Sequence, residues 1–350
     1  MNCYAPYKTF FGDIHNHCGI SYAHGSLEDA LRNARERLDF VSVTGHAHWP
    51  DMPEPDDENQ YIIDFHEEGF AKLKTGWKRM MDTLRAFNRE GSFVVFPGFE
   101  VHFTATGDRN IVYRDLSGEI LYPADLADLH RQLRRLRQSG VESIAQPHHV
   151  GYRTGTRGID WSSFSEEFAP FVEMLSMHGC SESNENTRPF LHSMGPSDYE
   201  STIQRGLERG LTGVWAEQLT REALWDALMS RRMYALTGDR MDIRFTVNDA
   251  PMGAITPRDH RRRVAFDVEA GGAIDCVDVL RDGQLVRRFS QYENIPAPVG
   301  DMVRTRLFLE VGWGARHKST EWLVELGICE GRVVAVEPRF RGMEVVAPTE

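Results

Sequence analysis

Short apolar runs alternate with longer amphipathic stretches through the first two-thirds of this chain, and that alternation restricts the fold more than any other feature. Runs too short for a helix, separated by helical patterns, mark βα units in which crossover helices join parallel strands. Residues 10–14, 40–44, 93–96, 143–146, 171–177 and 234–237 are the expected strands. Ser26-Leu27-Glu28-Asp29 reads as a capping box opening a helix to Leu38, and residues 66–90, 123–139, 198–209 and 220–232 carry the other helical patterns. A parallel α/β barrel or open sheet follows.

From about Met241 the texture changes to apolar-polar alternation, at residues 243–247, 264–268, 277–280, 306–311 and 333–336, interrupted by Asn-Asp, Asp-Gly and Gly-Gly turns. That pattern predicts an antiparallel β-sandwich. A chain of 350 residues exceeds one typical core, so two domains are expected, a barrel over 1–240 and a smaller sandwich over 241–350.

Composition narrows the function. With 41% hydrophobic and 26% charged residues the chain can bury real cores, and no apolar run of about 18 residues would span a bilayer. A formal charge of −12 disfavours a nucleic-acid partner, since phosphate binding calls for excess Lys and Arg. The run His130-Arg131-Gln132-Leu133-Arg134-Arg135-Leu136-Arg137 fits a solvated helix face better than a nucleic-acid stripe. The start of the chain lacks the basic, apolar and small-residue sequence of a secretory signal, so a cytoplasmic location is expected. Cys3, Cys18, Cys180, Cys276 and Cys329 form no Cys-x-x-Cys pair, which argues against disulfides and thiolate metal sites. No phosphate loop, Gly-x-Ser-x-Gly elbow or dinucleotide glycine fingerprint is present.

The chemistry gathers at the ends of the expected strands. Asp13, His15 and His17 are spaced by two and share one face of an extended strand. His46 and His48 follow the second run, Glu100 and His102 the third, His148 and His149 the fourth, and His178 the fifth; with His24, these segments hold nine of the fourteen histidines. Strand ends of an α/β barrel converge on one mouth, so the histidines are expected to meet there. Imidazole and carboxylate without thiolate suit zinc, manganese or iron, with Glu100 as a bridging carboxylate. His48 and His102 follow stronger candidates and read equally well as hydrogen-bond partners or surface residues. Adjacent residues on an extended segment point opposite ways, so one of His148 and His149 is expected to face the metal, without an indication of which.

Gly12-Asp13-Ile14-His15-Asn16-His17, the His24 site, Leu38-Asp39-Phe40 and Thr44-Gly45-His46 together resemble the opening of PHP (polymerase and histidinol phosphatase) domains. Pro97-Gly98-Phe99-Glu100, Pro147-His148-His149, His178-Gly179-Cys180-Ser181-Glu182 and Tyr234-Ala235-Leu236-Thr237-Gly238-Asp239-Arg240 are similar to a subgroup of that superfamily still described as a domain of unknown function. The resemblance implies a distorted seven-stranded (β/α) barrel, up to three metal ions, and hydrolysis of a small-molecule phosphoester by metal-activated water. It implies that His15, His17 and Glu100 hold one metal, Glu100 and a histidine of the His148-His149 pair a second, and His24 and His46 a third, with His178 a further ligand. Arg109 and Arg240 are then candidates to hold the substrate phosphate.

Two departures from that pattern favour fewer metals. Thr44-Gly45-His46 replaces the common Thr-Asp-His, and residues 207–215 lack the late Asp-x-His, as though a strand and its loop were missing. The competing expectation is a degenerate, non-catalytic metal-binding module whose sandwich domain holds a partner or carbohydrate.

Overall fold

The computed structural model describes residues 2–150, 152, 154–176, 179–180, 211–281 and 284–290, and beyond these only the short stretches 304, 306, 323–325, 327–328 and 331–336. The described chain is a mixed α/β structure built on a seven-stranded sheet, with a small two-stranded pair inserted before its last two strands and two smaller sheets after it. The strands are β1 (Lys8–Asn16), β2 (Phe40–His48), β3 (Val94–Val101), β4 (Arg109–Tyr113), β5 (Ser143–Pro147), the two-residue β6 (Leu175–Ser176) and β7 (Gly179–Cys180), β8 (Leu211–Ala216) and β9 (Met233–Leu236). The helices are α1 (Leu27–Arg37), α2 (Gln60–Phe87), α3 (Leu126–Gln138) and α4 (Arg221–Met229).

The sheet order is β5-β4-β3-β2-β1-β8-β9. Only β1, β2 and β3 pair in parallel; β4 runs against both β3 and β5, and β8 against both β1 and β9. The expectation of an all-parallel sheet fails there because the 102–108 connection is too short for a crossover, which takes a dozen or more residues. Leu211–Ala216 forms a strand, so none is missing from that stretch.

Period-two alternation divides β3 between two cores. Val95, Phe99 and Val101 pack with Leu31, Leu73, Met80, Leu129 and Leu133 under α1, α2 and α3. Val94 and Phe96 pack with Phe40, Val214 and the α4 residues Leu224, Trp225 and Leu228. Full burial of each such side chain is worth about 1.5–3 kcal/mol. The expected cap of α1 is present, with Ser26 Oγ accepting from the Asp29 amide at 3.1 Å. Asp125 and Thr220 cap α3 and α4 in the same way, each side chain satisfying an orphan amide of the first turn.

Beyond residue 240, β10 (Met241–Val247), β11 (Ala250–Pro251) and β12 (Val264–Ala270) form a three-stranded antiparallel sheet, and β13 (Cys276–Arg281) and β14 (Gln284–Ser290) a hairpin. Phe266 and Phe289 join the two, ring centroids 5.1 Å apart. Tyr4 Oη donates to the Phe245 carbonyl at 2.7 Å and ties the three-stranded sheet to the start of the chain. Residues 333–336, expected as a strand, have no strand pairing and are exposed. The helix expected at 198–209 and most of the strand expected at 306–311 lie outside the described residues. No helix among the described residues is long and apolar enough to cross a membrane.

Candidate metal centre

The sheet brings the carboxyl ends of β1, β2, β3 and β5 to one edge, together with the amino end of the reversed strand β4. His46 pairs with Glu100 in the β2–β3 register, and Arg109 pairs with both Val101 and Pro147, so residues 100–102, 108 and 148 become neighbours. Gly107, at φ 88°, makes the turn before Asp108; a side chain there would press within 2.8 Å of the Ile159 backbone.

Three groups of ligand-type side chains share Glu100: His15 and His17; His46 and His102; and Asp108, His148 and His149. Glu100 Oε2 lies 3.5 Å from His15 Nε2, 3.4 Å from His17 Nε2 and 3.4 Å from His46 Nδ1. Its Oε1 faces the other side, 3.0 Å from His148 Nε2 and 3.2 Å from His102 Nδ1. His15 Nε2 and His17 Nε2 are 3.0 Å apart, and His102 Nε2 is 2.9 Å from His46 Nδ1. Burial alone would raise Glu100, but His46, His148 and His102 hold its carboxyl well below the usual carboxylate range.

These separations fit bound ions. Two donors each about 2.1 Å from a tetrahedral ion stand about 3.4 Å apart, the spacing found around Glu100 Oε2. Glu100 Oε2 is buried without a hydrogen bond, a cost that coordination would remove. The donors are nitrogen and oxygen only, the set that suits zinc, manganese or iron.

The surroundings orient the ligands. Glu173, anchored by its amide on the Pro147 carbonyl at 3.0 Å, pairs with His15 Nδ1 and turns Nε2 toward Glu100. Burial works against charge on His15, but Glu173 and Glu100 hold its imidazole well above the ordinary range, whereas burial pushes His17 and His46 well below it. Asp108 Oδ1 accepts from the Phe103 amide at 2.9 Å, leaving Oδ2 to face His102 at 3.0 Å and His149 at 3.6 Å. Asp13 shares the strand but not a ligand group; it accepts from the His15 amide at 2.9 Å, and burial pushes its pKa up to about 7.

His15, His17, His46, Glu100, His148 and His149 are thus brought together at this edge, where only one of the last two was expected. Both His148 and His149 face carboxylates, because His149 sits at φ 55° and breaks the extended alternation. His102 is inside the centre, whereas His48 Nε2 turns to the Pro123 carbonyl at 3.0 Å. His24 is exposed and belongs to none of the three groups. Arg240 is exposed over the Phe11 ring, 5.5 Å from its centroid. Arg109 is buried, its Nη1 donating to the carbonyls of Thr106, Gly107 and Asp108, and burial pushes its pKa down to about 10. His178 lies outside the described residues.

Asp108, Glu173 and Arg157 escaped the sequence reading. Arg157, largely buried at φ 69°, donates from Nε to Asp108 Oδ2 at 2.7 Å and places Nη2 2.6 Å from His102 Nδ1. Asp108 carried a detectable signal, a carboxylate inside the Gly-Asp-Arg-Asn motif, but the other two lie in irregular loops with no motif around them.

Comparison with known proteins places these observations among relatives. The family model described as "Protein of unknown function (DUF3604)" matches residues 154–250. An uncharacterized protein of Chlamydia pneumoniae is 25% identical over 272 residues, covering 65% of this chain and 43% of that protein. One from Chlamydia trachomatis is 28% identical over 261 residues, 61% of this chain and 40% of that protein. The chain therefore spans less than half the length of these curated relatives. A two-domain protein from Bacteroides vulgatus containing a predicted PHP-like metal-dependent phosphoesterase aligns with a TM-score of 0.36 at 14% identity, over 78% of this chain and 90% of that one. PsfC from Pseudomonas syringae aligns with a TM-score of 0.39 at 14% identity, over 66% and 92%.

Proposed function

We propose that this chain is a metal-dependent hydrolase acting on small-molecule phosphoesters at a His/carboxylate centre for two or three divalent ions, with residues 1–240 forming a distorted PHP-like barrel and 241–350 a separate β-rich domain. The observation that carries the reading is Glu100, a buried carboxylate whose two oxygens face separate sets of imidazole nitrogens at 3.0–3.5 Å. A bridging ligand needs that arrangement.

In this reading His15 and His17 would hold one ion with Glu100, and His46 and His102 a second. Asp108, His148 and His149, with Glu100, are a further group of donors, close enough together to hold a third only if nothing else fills their corner. When bound, such ions lower the pKa of a coordinated water and neutralise phosphoryl oxygens. The chain's own residues hold the geometry. Glu173 fixes the ring plane of His15, and Arg109 acts through the loop rather than on substrate, its guanidinium holding the three carbonyls around Asp108. Low exposure of Glu100, His102, Asp108 and His148 keeps the field between them unscreened by bulk water.

The test is metal content per chain by inductively coupled plasma mass spectrometry, together with turnover of a phosphoester panel, for wild type and His15→Ala/His17→Ala. Two or more ions with metal-dependent phosphate release, both reduced in the variant, are expected. One ion or none, without turnover, would replace the hydrolase with a binding module.

A further inference from the structure

The corner of the centre around Asp108 already contains a cation of the protein's own. Arg157 places Nη2 2.6 Å from His102 Nδ1 and 3.7 Å from Glu100 Oε1, while its Nε bonds Asp108 Oδ2 at 2.7 Å. His102 Nδ1 also lies 3.0 Å from Asp108 Oδ2, so the guanidinium, the imidazole and the carboxylate meet at one point.

Arg157 is seated firmly. Its amide donates to the Thr104 carbonyl at 3.0 Å, its own carbonyl accepts from the Asp108 amide at 3.4 Å, and its guanidinium lies over the Trp49 ring, 5.3 Å from the centroid. The backbone pays for this placement with a left-handed φ of 69° at a non-glycine residue.

We propose that Arg157 fills the Asp108 corner with a fixed positive charge, so that this corner takes no metal ion while the guanidinium is seated. Glu100 and Asp108 together bring two negative charges, and Arg157 already neutralises one. A divalent ion sharing Asp108 Oδ2 would compete for the same lone pairs and sit beside a like charge that cannot deprotonate. His148 still reaches Glu100 Oε1 at 3.0 Å, and the ions held through His15, His17 and His46 are left unaffected. The centre is thereby limited to fewer ions than its donors could hold. The inference rests on the metal-centre reading above.

The experiment counts ions rather than turnover. Wild type, Arg157→Gln and Asp108→Asn are saturated with Mn²⁺, freed of excess by gel filtration, and measured for manganese per chain. Arg157→Gln is expected to hold one more equivalent than wild type, and Asp108→Asn the same number as wild type. Equal counts in wild type and folded Arg157→Gln, or loss of an ion in Asp108→Asn, would overturn the proposal while leaving the metal centre standing. Absence of manganese from all three would overturn both. Should Arg157→Gln fail to fold, the Asp108→Asn count decides alone.

Discussion

Replacing Glu173 by alanine should weaken one ion of the centre and spare the rest. The Glu173 carboxylate pairs with His15 Nδ1, both side chains only 11% exposed, and it is what holds His15 Nε2 toward Glu100. A hydrogen bond to a charged partner at such a site contributes about 1.5–3 kcal/mol, and loss of an outer partner of a metal-binding histidine costs about 10–100-fold in affinity, equivalent to about 1.4–2.7 kcal/mol. The two routes agree, so the dissociation constant for the ion at His15, His17 and Glu100 is expected to rise about 10–100-fold. Competition titration against a chromophoric chelator measures it, with melting of the metal-free protein as a folding control. Glu173→Gln keeps an acceptor but not the charge and should fall between wild type and alanine. A Glu173→Ala variant that folds and binds every ion as tightly as wild type would show that the ring of His15 is oriented by the strand alone, and the reasoning would fail.

Two further predictions concern stability. Burial pushes the pKa of His66, packed between Tyr22 and Trp49, down to about 3, from an ordinary value near 6.5. Between those values the unfolded chain binds a proton that the native protein refuses. Stability from this residue is therefore intact above pH 6.5 and lost as pH falls, by up to about 1.4 kcal/mol per pH unit. In denaturant titrations of metal-free protein from pH 7 to 4, His66→Phe should have a shallower slope than wild type, and identical slopes would refute the buried neutral state. Gly98 faces the Ile111 carbonyl oxygen, 2.8 Å from where a Cβ would stand. Gly98→Ala should cost about 1–3 kcal/mol by overpacking, read as a lower urea midpoint with unchanged slope; an unmoved midpoint would mean that β3 and β4 separate without penalty.

Most of the centre was legible because strand ends are legible. His15, His46, Glu100 and His148 each close an apolar run of the sequence, and a sheet with those runs side by side must bring them to one edge. Asp108 was hidden by direction: it precedes β4 instead of following a strand, and only the reversal of β4 carries that amino end to the same edge. Arg157 and His149 depend on left-handed backbone at non-glycine residues, which tertiary contacts impose and local sequence does not announce. The strand Leu211–Ala216 was obscured by Gly213, a poor strand former in isolation; here its missing side chain leaves room for the Tyr234 ring, which a Cβ would approach to 2.3 Å.

The reversal of β4 also makes one part of the centre local in sequence. Glu100, His102 and Asp108 all belong to a single hairpin, so their mutual spacing is set first by a loop of a few residues, which Asp51 and Arg157 then clamp from outside. That loop works as a ruler. Adding or deleting one residue between His102 and Asp108 would displace the aspartate from the contacts that Phe103 and Arg157 make with it, since the register of β4 is fixed on both sides by β3 and β5. A change of length is therefore least tolerable over residues 102–108, a segment whose one large apolar side chain, Phe103, also anchors it in the core.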